Sequence, residues 1–322
     1  MDDARAIPSM SGHFLYSGSA QISTSDAMTG MGEFVAKVLG WCDDLDDERV
    51  EALRADWTAI TNAEEEETAF CRAAGRLGLD PYAIHEWNPE LVTLLSSKLG
   101  TRIDSDFVHD LLESADATSA SALWQWVSDT ERSFELKGSA PAIELSPGFR
   151  RAKDQGYFVA TKVRAKAGLA PDEPIPTLSS IADRLGKTTI FENRNHLPSR
   201  RVHAVVGGRG DGAEVVIAGP ASERPEQQRF LESRCLYQAL VGCGNGARLI
   251  TRAHTWDQQA SRAFAAELLA PRKVLAGDAG DDLEPDEWRD LEEKLAARFR
   301  VSTEVIRRQL QNEGVRRQGG DF

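Results

Sequence analysis

The sequence predicts an α+β protein, mostly helical, in which an N-terminal helical domain precedes helices packed on a small β-sheet. Three observations carry this expectation. From about residue 32 to residue 134, apolar residues recur at helical spacing. Between 188 and 218, three short runs rich in β-branched residues (188–191, 202–206 and 214–218) interrupt the helical pattern. Charge is also split along the chain: residues 1–150 hold 27 acids and 11 bases, whereas residues 151–322 hold 24 acids and 27 bases. Two units with different surfaces are therefore expected.

The bulk composition sets limits. A chain of 322 residues is long enough for two domains. Hydrophobic residues at 41% and charged residues at 28% suit a globular protein. No apolar run approaches the roughly 18 residues of a membrane span, and Met1-Asp2-Asp3-Ala4-Arg5 lacks a basic-then-apolar signal pattern. A cytoplasmic location with no membrane partner is expected. Cys42, Cys71, Cys235 and Cys243 are scattered, with no Cys-x-x-Cys pair; they read as buried thiols, not as a disulfide framework or a structural zinc site. The acidic first half, with a net charge of −16, would repel nucleic-acid phosphate.

Taken in order, residues 1–28 are rich in Ser, Gly, Thr and Met and read as a flexible leader. An acidic helical domain is expected over 29–140. Phe34, Val35, Val38 and Leu39 share one helix face, extended by Trp41. Val50, Leu53, Trp57 and Ile60 continue at helical spacing. The run Glu64-Glu65-Glu66-Glu67 points in different directions around a helix, so it reads as a solvated first turn. Gly78 ends that helix, and further helices are expected over 90–99, 106–114 and 121–134. His85 and His109 have no paired ligand at a useful spacing and read as surface or packing residues.

The segment 137–149, with Gly, Ser, Pro141 and Pro147, is the expected domain boundary. A second domain is expected over 150–275. It opens with a helix over 156–168, followed by one over 177–186 with Thr177 as a hydroxyl N-cap and Gly186 as a stop. Gly207-Gly208-Arg209-Gly210-Asp211-Gly212 joins the second and third strands as a hairpin turn. No Lys-Ser/Thr follows it, so it is a poor phosphate loop. Helices are expected over 229–240 and 257–269, the latter stopped by Pro271. A C-terminal helix pair with a basic tail is expected over 276–322, its helices at 285–299 and 303–311, with Ser302 as a cap.

Two features in this second half carry a resemblance. Arg229-Phe230 leads into a helix, and residues 264–271 read Phe-Ala-Ala-Glu-Leu-Leu-Ala-Pro. Together with the helix–strand–hairpin–helix order, they resemble the ImmA/IrrE family of zinc metallopeptidase-like proteins. The resemblance implies a zincin-like fold over 150–275 and a role near stress, transcriptional or phage-related control. In the register set by Arg229-Phe230, the family's His-Glu-x-x-His positions hold Arg234, Cys235 and Gln238. Counting back from Phe264, its acidic third ligand falls on Ala260 or Gln258.

The chemistry of those replacements argues against zinc. A guanidinium offers no lone pair and repels a divalent ion. Glutamine is a poor ligand, and cysteine cannot replace the glutamate base in the same geometry. The reading is a catalytically inactive regulatory or interaction protein, without zinc or another cofactor, that binds a protein partner, possible transcriptional regulators included. Arg234 would either pair with an internal carboxylate such as Glu232 or Asp257, or make the cleft a receptor for an acidic peptide or a phosphate group. Two alternatives stand beside this. One is a peptidase with a rebuilt site drawn from Cys235, Cys243, His254 and Asp257. The other is a DNA-binding regulator that uses the C-terminal pair, with Arg300, Arg307 and Arg308 on phosphate.

Overall fold

A computed structural model describes residues 6–8, 14–17, 24–62, 65–99, 105–138, 141–145, 148–194, 197–210, 212–241, 246–279 and 285–315. The chain divides into two compact units, Met1–Thr68 and Ala69–Phe322.

In the first unit, β1 (Ala6–Pro8) pairs antiparallel with β2 (Phe14–Ser17), and α1 (Thr24–Trp41) and α2 (Glu48–Asn62) follow. These two strands and the start of α1 fall within residues 1–28. Helix α1 begins at Thr24 and carries Asp26 in its first turn, where a carboxylate meets the positive helix end. The rest of the expected leader lies outside the described residues. Arg54 ties α2 to the end of α1, donating to the Cys42 carbonyl at 3.0 Å and pairing with Asp43 at 2.9 Å. The expected inward face of α1 is only partly covered: Leu39 is buried, but Phe34 and Trp41 are exposed, as are Leu53 and Ile60 of α2. A two-helix arrangement offers too few facing side chains to cover a full apolar stripe on each helix.

Helix α3 (Glu65–Arg76) ends as expected at Gly78, whose φ of 72° is the left-handed conformation of a helix C-cap. Of the four-glutamate run, Glu67 is exposed in the first turn of α3. The Asn88 side chain caps α4 (Pro89–Thr93), which runs on into a π-helical stretch, Leu94–Leu99. Then come α5 (Asp106–Ser114), α6 (Ala120–Ser133), α7 (Ala152–Lys166) and α8 (Leu178–Arg184). Strands β3 (Thr188–Asn193), β4 (Val202–Arg209) and β5 (Glu214–Gly219) lead to α9 (Pro225–Val241). A strand the sequence pattern did not suggest, β6 (Arg248–Thr251), precedes α10 (Trp256–Leu269). Helices α11 (Arg272–Asp278), α12 (Pro285–Phe299) and α13 (Thr303–Asn312) complete the unit.

The four strands form one mixed sheet in the order β3-β5-β4-β6, with β3–β5 parallel and the other two pairs antiparallel. Both faces are covered, which explains the near-continuous valine and isoleucine runs. On one face, Val205, Val216 and Leu249 pack with Phe107, Leu111 and Leu123 of α5 and α6. On the other, Val206, Ile217 and Ile250 meet Cys235 and Ala239 of α9. On the far side of α9, Leu236 packs against a helical layer built from Val159, Phe264, Phe299 and Ile306. Helices α7 and α10 approach closely there. A Cβ on Gly156 would stand 2.3 Å from the Ala260 carbonyl, so only glycine fits.

The helices from Ala69 to Ser133 therefore share a unit with the sheet. Described residues of the segment 137–149 are laced into that unit as well. Lys137 exchanges backbone hydrogen bonds with Gly208 at 2.7 and 2.9 Å, and the Ala142 and Ile143 amides donate to the Leu240 carbonyl at 2.8 and 3.0 Å. Among the described residues, no helix is long and apolar enough to cross a membrane.

Candidate functional site

Helix α9 lies between the sheet and the helical layer, so every residue from Ser233 to Leu240 is buried. One of them is Arg234, only 4% exposed. A guanidinium that deep needs hydrogen bonds to offset its lost hydration. Arg234 Nη2 donates to Gln258 Oε1 at 2.6 Å and to the Thr251 carbonyl at 2.8 Å, and Nε donates to Ser261 Oγ at 3.2 Å. Burial, reinforced by the charge of Arg262, pulls the guanidinium down to about 9, which leaves it protonated at neutral pH. Neither Glu232 nor Asp257 pairs with it. Glu232 accepts from Gln228, and Asp257 is held by Arg248 at 2.5 Å.

Gln258 is the hub of this network. Its Oε1 also accepts from the Thr251 amide at 2.9 Å, and its Nε2 donates at 2.7 Å both to the Leu249 carbonyl and to Asp110 Oδ2. Asp110, from α5, is 1% exposed and also accepts from Thr255 Oγ1 at 2.5 Å. Desolvation pushes its carboxyl up to about 6, against the pull of its hydrogen bonds from Thr255 and Gln258 and of the Arg248 charge. The buried cation and the buried acid are thus joined through one neutral amide, which can donate and accept at once.

Arg234 also forms part of the wall of a cavity of about 880 Å³. Helix α7 contributes Lys153 and Tyr157; α9 adds Phe230 and Leu231; α10 adds Arg262; α13 adds Val305 and Arg308. His203 on β4 and, from the β6–α10 segment, Arg252 and His254 complete the wall. His203 is neutral at neutral pH. Burial, then the charges of Arg234, Arg252 and Arg262, push its imidazole down to about 4.

The other residues singled out from sequence do not gather here. Cys235 packs on the sheet with Ala204 and Val206, one residue round the helix from Arg234. Gln238 is fully buried within α9. His254 lines the cavity, but Cys235 and Asp257 do not. Cys243 lies outside the described residues. Among the described residues, no three His, Cys, Asp or Glu side chains stand close enough together to hold a metal ion. The acceptors around Arg234, one side-chain amide, one hydroxyl and one backbone carbonyl, suit a guanidinium and not zinc. At the C-terminal pair, Arg307 is held by Glu292 at 2.8 Å and Arg308 by Glu304 at 2.6 Å, while Arg300 sits at the inter-helix turn with φ 54°.

Sequence reading missed Asp110, Lys153, Arg252 and Arg262. Asp110 left a signal: an acid set among Phe107, Val108, Leu111 and Leu112 on an apolar helix. The three bases left none beyond their charge, because only the fold brings α7, α10 and the β6–α10 segment to one cavity. The chain matches no protein-family model, no curated protein and no solved structure.

Proposed function

We propose that this protein is a non-catalytic regulator of ImmA/IrrE type, whose cleft binds a protein partner instead of cutting one. One contact carries the reading. Arg234 stands where the resemblance puts a histidine ligand on one helix, Gln258 is one of the two positions, with Ala260, that it offers for an acidic ligand on the next, and the two are hydrogen-bonded directly at 2.6 Å. A positive charge fills the space a cation would need, and its partner is a neutral amide with no charge to attract one. The resemblance to regulators of stress, transcriptional or phage-related control supplies the cellular setting.

Metal analysis of the purified protein tests the non-catalytic half. Zinc well below one equivalent per chain is expected. Stoichiometric zinc that is lost in Cys235→Ser or His254→Ala, together with chelator-sensitive peptide hydrolysis, would restore the peptidase reading. The partner half is tested in cells with a photo-crosslinking residue in place of Ala221, which is exposed on the cavity wall. A discrete protein adduct is expected there. A partner that crosslinks only from a different surface would overturn this assignment.

A further inference from the structure

We infer that the Arg234 cavity is a receptor for a phosphate monoester. The first observation is charge. Among the described residues, Lys153, Arg234, Arg252, Arg262 and Arg308 line the cavity, against only two carboxylates, Glu226 and Glu304. Glu304 is already taken, since Arg307 and Arg308 both pair with it. The cavity is therefore strongly cationic inside a protein whose net charge is −13.

The second observation is which donors are spoken for. Arg308 is held by Glu304, and Arg262 donates to the Ala253 carbonyl at 2.8 Å. Arg234 uses Nε and Nη2 in the buried network, and its described hydrogen bonds leave Nη1 over. The side chains of Lys153 and Arg252 have no described hydrogen bond or ion pair. Three cationic groups on three different elements thus border one space with donors to spare. A phosphate monoester presents three acceptor oxygens and a charge of about −1.5 to −2 at neutral pH, which matches that set. A single carboxylate, with one charge and two oxygens, would leave much of the repulsion among the cations standing.

The third observation is the rest of the wall. The volume of about 880 Å³ exceeds what a bare anion needs and falls within the range of small-ligand sites, about 300–1,000 Å³. Phe230, Leu231 and Val305 supply apolar surface for an organic portion. The phosphoryl group could arrive on a small metabolite or on a modified side chain of the partner, and the test separates these two sources.

The inference rests on the cavity being a binding site without metal, and the two fail separately. Stoichiometric zinc would sink the earlier reading whatever phosphate does. In zinc-free, folded protein, calorimetric titration uses inorganic phosphate, adenosine 5′-monophosphate and a phosphoserine tripeptide, with adenosine, the unmodified tripeptide and its glutamyl counterpart as controls. The phosphate-bearing probes should bind, and at least one should bind tighter than its unphosphorylated control by about tenfold or more. The tighter of the two organic probes names the source. Lys153→Gln combined with Arg252→Gln, which leaves the buried network intact, should weaken binding by roughly tenfold or more. In the wild-type protein, the His203 imidazole resonance should titrate at higher pH once phosphate offsets the neighbouring arginines. Absence of phosphate binding, equal binding of the glutamyl peptide, or a double variant and a His203 titration that do not respond would each overturn the inference.

Discussion

Two sets of arginines in this protein are treated in opposite ways. Arg307 and Arg308 on α13 reach into solvent and lie against glutamates that are their near neighbours on α12 and α13. Arg234 on α9 is buried between sheet and helices with one edge on the cavity, and none of its three hydrogen-bond acceptors is a carboxylate. Exposed pairs gain little over hydrated ions, so α13 would keep its fold without them. A buried guanidinium stripped of its hydrogen bonds costs several kcal/mol. The difference teaches where the fold has built something: a chain keeps a charge inside only by arranging other elements around it.

The strongest way to break that contrast is to remove the hub. Gln258→Leu deletes one acceptor and one donor, and leaves both Arg234 and Asp110 short of a buried partner. A loss of about 3–5 kcal/mol is expected, read as a lower urea midpoint with an unchanged slope. A loss near that of a surface substitution would mean that the network relaxes freely and that Arg234 is held by something else.

Asp110 gives the next largest effect, and its sign is informative. Its folded-state value of about 6 lies above the ordinary 3.8. The folded protein therefore holds a proton on Asp110 that the unfolded chain has released between those two values. Stability from this group is fully present below about pH 4 and is lost as pH rises through 6. Relative to Asp110→Asn, the wild type should lose roughly 2 kcal/mol between pH 4 and pH 7. His203 tilts the opposite way. Its folded value of about 4 lies below 6.5, so its contribution grows as pH rises through that window. Denaturation curves at several pH values for the wild type and Asp110→Asn isolate the acid. A difference that stays flat with pH would show that Asp110 is ionised at neutral and mildly acidic pH, and that the hub joins two full charges.

What could be read from the sequence, and what could not, follows from the range of the interactions involved. Helix α5 falls where expected, 106–114, because Ser105 caps it through the Val108 amide. Thr177 caps α8 through the Ser180 amide, and Gly186 ends the turn after it with φ 72°. These are bonds across three residues or fewer, and they leave a local signature. Ser302 does stand at the start of α13, but its side chain makes no cap bond there. Strand β6 has only four residues, and its place is fixed by pairing with β4, about 45 positions earlier. Pro271 lies just past the end of α10, as the sequence predicts, and is also the N-cap residue of α11. The site itself was half visible. Arg234 stands out in the sequence because the register set by Arg229-Phe230 puts it at a ligand position of the family it resembles. Its connection to Asp110 runs through Gln258, which lies 148 residues from that acid, and no periodicity carries such a pairing.

The smallest expected effect sharpens the comparison from the exterior side. Arg308→Ala removes a pair whose side chains are 73% and 55% exposed, so its cost should be below about 0.5 kcal/mol. Arg307→Ala should cost more, because Glu292 is only 12% exposed at its side chain and would lose its only described cation. The same two variants address contact with DNA. Phosphate binding by Arg307 and Arg308 would have to displace Glu292 and Glu304 first, so the ion pairs compete with any duplex. Little or no salt-dependent retardation of DNA is expected from the wild type, and any that occurs should survive the double alanine variant. Retardation that the double variant abolishes would show that these arginines leave their glutamates for phosphate, and the contrast with Arg234 would then be one between two anion-binding sites.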